Sequence, residues 1–179
     1  MEDKTFEELL QINCYSEIEA ERSAAAELLE YRYSCEINCS DIDKSVMFAH
    51  HARGCTIVAA KICANAVIFQ NVTIGSNQRY NKLTQEWESL GTPIISEGVV
   101  IADGAKVLGP ITIGKNSVIG AGAIVTKDIP ANSVVYGVNK FKPKDPNYDL
   151  VFAKPMPAPE QIILANQNRV AKFDEMSKK

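Results

Sequence analysis

Two histidines stand side by side in this chain, His50 and His51, and the sequence contains no others. Imidazole titrates near neutral pH, so it can take a proton from an alcohol or an amine as that group attacks a carbonyl. The run around them, Ala49-His50-His51-Ala52-Arg53-Gly54, also interrupts a rhythm that the chain keeps elsewhere. Ile42 and Phe48 are six residues apart, and Ile62, Ile68 and Ile74 keep the same step. Between the two groups the phase slips by two residues. A periodic sequence that abandons its own rule at its two imidazoles marks that stretch for chemistry. Five cysteines (Cys14, Cys35, Cys39, Cys55, Cys63) form no C-x-x-C pair, so neither a disulfide framework nor a zinc knuckle is expected. Cys63, in a small-residue position of the repeat, reads as a small apolar filler.

What must hold the histidines is a ruler, clearest from Ile95 to Tyr136. A branched aliphatic returns every sixth position at Ile95, Ile101, Val107, Ile113, Ile119 and Val125. The next residue is usually small (Ala102, Gly114, Gly120, Thr126), and Val99, Ala105, Ile111, Ser117, Ala123 and Ile129 stand four positions on. Six matches neither the 3.6-residue period of an amphipathic helix nor the alternation of a hairpin ladder. It matches a coil that turns a corner every six residues, stacked on its neighbours as a solenoid with strands about 4.8 Å apart. Three such sides close a triangle, with aliphatics inside and short residues at the corners, where glycine turns without steric penalty.

A ladder of this kind resembles the hexapeptide-repeat acyltransferases, and the resemblance implies a mainly β fold, a left-handed parallel β-helix, with homotrimers and active sites between subunits. The left hand comes from the resemblance, since the crossover rule alone predicts the opposite. Val46-Met-Phe-Ala-His-His-Ala-Arg-Gly54 followed by Ile68-Phe-Gln-Asn-Val-Thr-Ile-Gly75 is similar to the serine acetyltransferase branch. There an apolar run, a catalytic histidine, a glycine and a later Gln-x-Val-Thr-Leu-Gly occur in this order, and acetyl-coenzyme A is the co-substrate, with no metal. An acidic residue about fifteen positions earlier orients the imidazole in that branch. Glu36 stands fifteen before His51 and fourteen before His50. Counting the repeat from Ile42 forward and from Gln70 backward selects His50 as the base. The local His-Ala-Arg-Gly match and the spacing to Glu36 select His51. The repeat phase tips the choice to His50, and either base needs a carboxylate partner to fix its tautomer.

Small residues at matching positions of successive coils, Gly104 and Ala105, then Gly122 and Ala123, leave room for the coenzyme's extended thiol arm, by the same resemblance. Backbone amides and carbonyls there are the expected hydrogen-bonding groups. Gly137-Val-Asn-Lys-Phe-Lys-Pro143 resembles the family's closing Gly-Val-Pro-Ala followed by a base, with Asn139 where proline is usual. Lys140 and Lys142 are the candidates for the coenzyme's 3′-phosphate. Two departures weaken L-serine as acceptor. Thr92 occupies the position of the branch's second substrate-contacting histidine, and the aspartate that usually precedes the catalytic histidine is replaced by Ala49 or His50. A small-molecule acceptor with a hydroxyl, serine or a sugar, is expected. An amino-sugar N-acetyltransferase and a non-catalytic β-helix scaffold are the competitors, and a metal hydratase of this architecture needs three histidines, one more than the chain has.

The flanks follow from simpler patterns. Residues 1–35 read as a helical cap, with Phe6, Leu9 and Leu10, then Ile18, Ala25, Leu28 and Leu29 at three- and four-residue spacing. A break at Asn13-Cys14-Tyr15-Ser16 divides it in two, with Ser16 as the cap of the second helix. The β-helix takes residues 36–137. Within it residues 76–94 show no six-residue signal and read as a polar loop with Tyr80 and Trp87, an arm over the acceptor or toward a neighbouring subunit. Residues 138–179 read as a strap that prolines keep irregular from Phe141 to Pro159, then a helix from Glu160 to Met176 with Ile162, Ile163, Val170 and Phe173 on its apolar face and a frayed Ser-Lys-Lys end. A net charge of −3 offers no footprint for nucleic acid. No run approaches the roughly 20 apolar residues of a membrane span, and the amino terminus is acidic rather than signal-like, so a cytoplasmic protein is expected.

Overall fold

Six-residue spacing with a branched aliphatic at each step folds into three flat faces. In the computed structural model, residues 1, 3–39, 41–76, 78–147 and 158–176 are described, the last without the side chain of Asp174. They fall into two compact units, Met1–Lys144 and Asp145–Lys179.

The first unit opens with two helices, α1 (Phe6–Tyr15) and α2 (Glu19–Tyr33). Five coils follow. The first holds β1 (Glu36–Asn38) and β2 (Met47–Phe48), and the second holds β3 (Thr56–Val58), β4 (Lys61–Ile62) and β5 (Val67–Ile68). The third holds β6 (Thr73–Gly75), then an excursion formed by β7 (Gln78–Asn81) and β8 (Glu86–Ser89), then β9 (Ile94–Ile95) and β10 (Val100–Ile101). The fourth holds β11 (Lys106–Leu108), β12 (Thr112–Ile113) and β13 (Val118–Ile119). The fifth holds β14 (Ile124–Val125) and β15 (Ser133–Tyr136), and β16 (Lys140–Pro143) folds back antiparallel on β15.

Strands of like position stack in parallel as three sheets, β1-β3-β6-β11-β14, β2-β5-β10-β13-β15 and β4-β9-β12. Registers carry the aliphatics into three columns: Ile37, Ile57, Ile74, Val107 and Val125; Phe48, Ile68, Ile101, Ile119 and Val135; and Ile62, Ile95 and Ile113, extended by bridges to Ile42 and Ile129. All are buried, as are the fillers Val99, Ala105, Ile111, Ser117, Ala123 and Ile129. Full burial of such a side chain stabilises by about 1.5–3 kcal/mol, so the ruler read from the sequence is the main support of the fold. Ser117 is tolerated inside because its hydroxyl donates to the Pro130 carbonyl at 2.9 Å and accepts from the Ser133 amide at 3.1 Å.

The corners are less dependent on glycine than the sequence implied. Left-handed backbone falls on Asn65, Asn71, Asn116, Asn132 and Asn139 as well as on glycines, because asparagine tolerates that conformation best among residues with a side chain. Asn139, where the family has proline, is built in by its amide: Oδ1 accepts from the Thr126 amide and Nδ2 donates to Thr126 Oγ1, both at 2.8 Å. At Gly120 a Cβ would stand 2.8 Å from the Val135 carbonyl oxygen, so close approach of two backbones excludes any side chain.

The cap closes one end of the prism, burying Phe6, Leu9, Ala25 and Leu29. Asn13 Nδ2 donates to the Ile37 carbonyl at 2.8 Å and the Tyr15 hydroxyl to the Ile42 carbonyl at 3.1 Å, which ties α1 to the first coil. Ile18 is exposed, as the N-cap of α2, and Ser16 lies two residues too early to be that cap. Its hydroxyl instead accepts from the Ile18 amide and donates to Glu21. The loop expected at residues 76–94 contains a hairpin, β7 paired antiparallel with β8, braced by Arg79 Nε donating to Glu88 at 2.7 Å and by Tyr80 packed edge-on against Trp87. Polar residues on both faces hide it from a search for alternation.

The irregular strap starts later than expected, because Lys140–Pro143 is a strand, and residues 148–157 of it lie outside the described set, as does the Ser-Lys-Lys end. In the second unit α3 spans Pro159–Met176, with Ile162, Ile163, Val170 and Phe173 exposed. Among the described residues no helix is long and apolar enough to cross a membrane.

Candidate active site

The interruption at the histidines is an insertion of three residues into one corner. Phe48 pairs with Ile68, and the Asn71 amide donates to the Arg53 carbonyl at 2.7 Å, as the Gly104 amide does to the Gln70 carbonyl one coil on. Arg53 therefore stacks on Gln70. Where the second coil turns this corner with Phe69 alone, the first uses Ala49, His50, His51 and Ala52. His50, His51 and Ala52 have φ of 54°, 55° and 52°, one turn of left-handed helix built from residues with side chains. Such backbone costs about 1–2 kcal/mol per residue, and strain of that size persists where the surroundings hold it. Ala52 is fully buried, its carbonyl accepts from the Cys55 amide at 2.9 Å, and the Gly54 amide donates to Ser34 at 3.0 Å. The slip of two residues seen in the sequence is this gain of three less one residue lost between Ile57 and Ile62, which are five apart.

The turn sends the two imidazoles to different neighbours. His51 lies against the Phe6 and Tyr33 rings, with centroids at 5.3 and 5.5 Å, so it belongs to the aromatic contact between cap and coil. His50 has the Phe69 ring of the next coil at 6.4 Å. Both are exposed. Glu36, the carboxylate expected to orient the base, sits on β1 with Oε1 accepting from Asn38 Nδ2 at 2.7 Å. Among the described residues no carboxylate hydrogen-bonds either imidazole within the chain.

The same prism edge carries the coenzyme candidates. Gly54, Asn71, Gly104 and Gly122 follow one another down the corner, linked by amide donation from Asn71 to Arg53, from Gly104 to Gln70 and from Gly122 to Asp103. Nothing lies within 4 Å of where a Cβ of Gly104, Gly122 or Gly137 would sit, so the edge is an open track from Gly104 onward, whereas at Gly54 the Asn71 side chain fills that space. Ala105 and Ala123 differ from the expectation. Their methyls are in the core, and both backbone groups of each are spent, Ala105 on Ala102 and Thr73 and Ala123 on Gly120 and Lys106. They shape the track from within, and their amide N–H groups are already engaged. Lys140 and Lys142 are exposed on β16, beyond the far end of the track, opposite Tyr136 and Val134.

Two features escaped the sequence. Gly137 extends the track but follows Gly122 by fifteen residues rather than by the eighteen that separate Gly104 from Gly122, because the last coil is shortened. Gln70, beneath Arg53, has its Oε1 buried without a hydrogen-bond partner. A cleft of about 750 Å³ lies elsewhere, between α1, α2 and β1, lined by Cys14, Arg22 and Cys39 among others and by neither histidine. Burial pushes the Cys14 thiol up to about 11. Among the described residues no group of three histidine, cysteine, aspartate or glutamate side chains could hold a metal ion.

Comparison with known proteins agrees with this geometry. The family described as bacterial transferase hexapeptide (six repeats) matches residues 92–127. A serine acetyltransferase of Bacillus pumilus (strain SAFR-032) is 40% identical over 92 residues, 51% of this chain and 39% of the relative. One from Mycobacterium tuberculosis (strain ATCC 25618 / H37Rv) is 34% identical over 116 residues, 64% of this chain and 48% of the relative. Among solved structures, a serine acetyltransferase in complex with cysteine superposes with a TM-score of 0.60 at 26% identity, covering 77% of this chain and 53% of that one. The chain thus spans less than half the length of these curated relatives.

Proposed function

We propose that this chain, a hexapeptide-repeat protein of the serine acetyltransferase branch, transfers the acetyl group of acetyl-coenzyme A to a hydroxyl of a small acceptor, serine or a sugar. The observation that carries the reading is the strained left-handed turn, which sets two histidines at the head of an open track of small residues. The relatives are named for the same transfer to serine, which supports hydroxyl as the acceptor group. The repeat family and the structural neighbours also imply the left hand of the coil.

His50 is the base in this reading, because His51 is committed to Phe6 and Tyr33. Acetyl-coenzyme A supplies the thioester. His50 takes the hydroxyl proton as the acceptor oxygen attacks the thioester carbonyl, and the imidazolium returns that proton to the departing thiolate as the carbon–sulfur bond breaks. Backbone amide donors steady the oxyanion in this reading. Gly104 and Gly122 leave room for the thiol arm, and from a corner where coils repeat at about 4.8 Å the track runs toward Lys140 and Lys142, which attract the 3′-phosphate. Assembly as a trimer, with the hairpin of one subunit near the turn of the next, completes the site.

Thr92 in place of a second histidine favours acceptors other than serine enough that the acceptor must be found by test. Thiol release from acetyl-coenzyme A, followed across serine, sugars and amino sugars, decides it. Release with a hydroxyl acceptor supports the proposal, and release with amino sugars alone transfers it to N-acetylation. No release with any acceptor, together with no coenzyme A binding, makes the prism a scaffold.

A further inference from the structure

The turn that carries the histidines lies over a polar atom with nothing to bind. Gln70 Oε1 is buried and has no hydrogen-bond partner among the described residues, a rare state for an amide oxygen and one that calls for a donor. Gln70 stands one coil below the insertion: the strand before it, β5, pairs Ile68 with Phe48, and its neighbour Asn71 donates to Arg53, the residue that closes the turn. Phe69, next to Gln70, is the residue whose ring faces His50. Of the two imidazoles on the turn, His51 is held between Phe6 and Tyr33, whereas His50 is exposed and has only the Phe69 ring beside it. The expected orienting group, Glu36, is engaged by Asn38.

We propose that Gln70 is the positioning residue for His50, its amide oxygen accepting the imidazole N–H from the ring nitrogen that does not face the acceptor. The inference rests on the reading of His50 as base. An amide in this role fixes the tautomer as a carboxylate does, as in Cys-His-Asn triads, but adds no charge. It also explains why the buried oxygen is kept, since a leucine of similar size would fill the same space with no polar atom to satisfy.

With two histidines in the chain, ring C–H resonances of the full-length protein report each imidazole separately, and His50→Ala and His51→Ala assign them. The other ionisable groups on elements packed at this corner are His51 and Arg53 on the turn, Tyr33 on α2, Glu36 on β1, Cys55 with its thiol on the Phe69 carbonyl, and Asp103, which accepts from Asn71 Nδ2 at 3.0 Å. None of them changes in the Gln70 variants. Gln70→Glu places a carboxylate against the ring and should raise the His50 midpoint by about one pH unit or more, with His51 unmoved. Gln70→Leu should leave His50 a mixture of tautomers in its ring nitrogen shifts. A His50 midpoint that is the same in wild type and Gln70→Glu, or a shift confined to His51, overturns the proposal. Turnover is read separately: an active His50→Ala protein would remove the base while the titration still decides whether Gln70 meets His50.

Discussion

At the scale of single residues, the structure gives His50 and His51 different neighbours, where the sequence preferred His50 on repeat phase alone. His50→Ala should lower turnover by about 10²–10⁴-fold, the usual contribution of a general base, with coenzyme A affinity retained in equilibrium binding. His51→Ala should keep turnover within a few fold and lose about 0.5–1.5 kcal/mol of stability in denaturant melts, from its lost contact with Phe6 and Tyr33. The reverse pattern would make His51 the base. Cysteines give a second test. Burial pushes the Cys14 thiol up to about 11 and Cys35 to about 12, from 9.0. Each stays protonated in the folded protein at a pH where it ionises once unfolded, so their stabilising contribution is complete below about pH 9 and falls as pH rises toward 11–12. Melting curves from pH 8 to 11 should show that decline, and a flat profile would contradict it. Partly exposed Cys63, read from the repeat as a small apolar filler, should alkylate in the native protein ahead of buried Cys35, Cys39 and Cys55.

At the scale of the element, the corner decides what a coil tolerates. Gly120→Ala pushes a methyl against the Val135 carbonyl backbone and should cost about 1–3 kcal/mol by overpacking. Gly104→Ala has open space and pays chiefly for its left-handed backbone, about 1–2 kcal/mol, yet its methyl enters the proposed track. Chemical denaturation paired with a coenzyme A binding assay separates the two: Gly120→Ala should lose stability with affinity kept, and Gly104→Ala should lose affinity beyond its stability change. Equal affinity in Gly104→Ala and wild type would move the coenzyme off this edge. The hairpin shows the other side of local logic, since its bonds, Arg79 to Glu88 and Tyr80 to Trp87, are internal to it.

At the scale of the whole molecule, stability resides in columns that cross coils. Each inner aliphatic touches its counterparts above and below, so Ile101→Ala or Ile113→Ala should cost about 2–5 kcal/mol, wherever along the prism it is made. Met1–Lys144 holds both the cap and all five coils. A chain ending at Lys144 should therefore melt cooperatively within a few degrees of the full chain in circular dichroism, and a non-cooperative melt would show that residues 145–179 are needed for the prism. The six-residue ladder, the division of the cap near residue 15 and the helix ending at Met176 were legible in the sequence because each is a local pattern whose period belongs to one kind of backbone. The hairpin was not, because polar residues on both its faces leave no period. Tertiary structure alone decided that the slip of two is a gain of three and a loss of one, that Glu36 accepts from Asn38, that the Ala105 and Ala123 carbonyls accept from amides of neighbouring coils, and that Gln70 lies under the histidine turn. Those facts depend on which residues of different coils stack at one corner, and a corner's register is set by the neighbouring coil, not by the order of residues along its own.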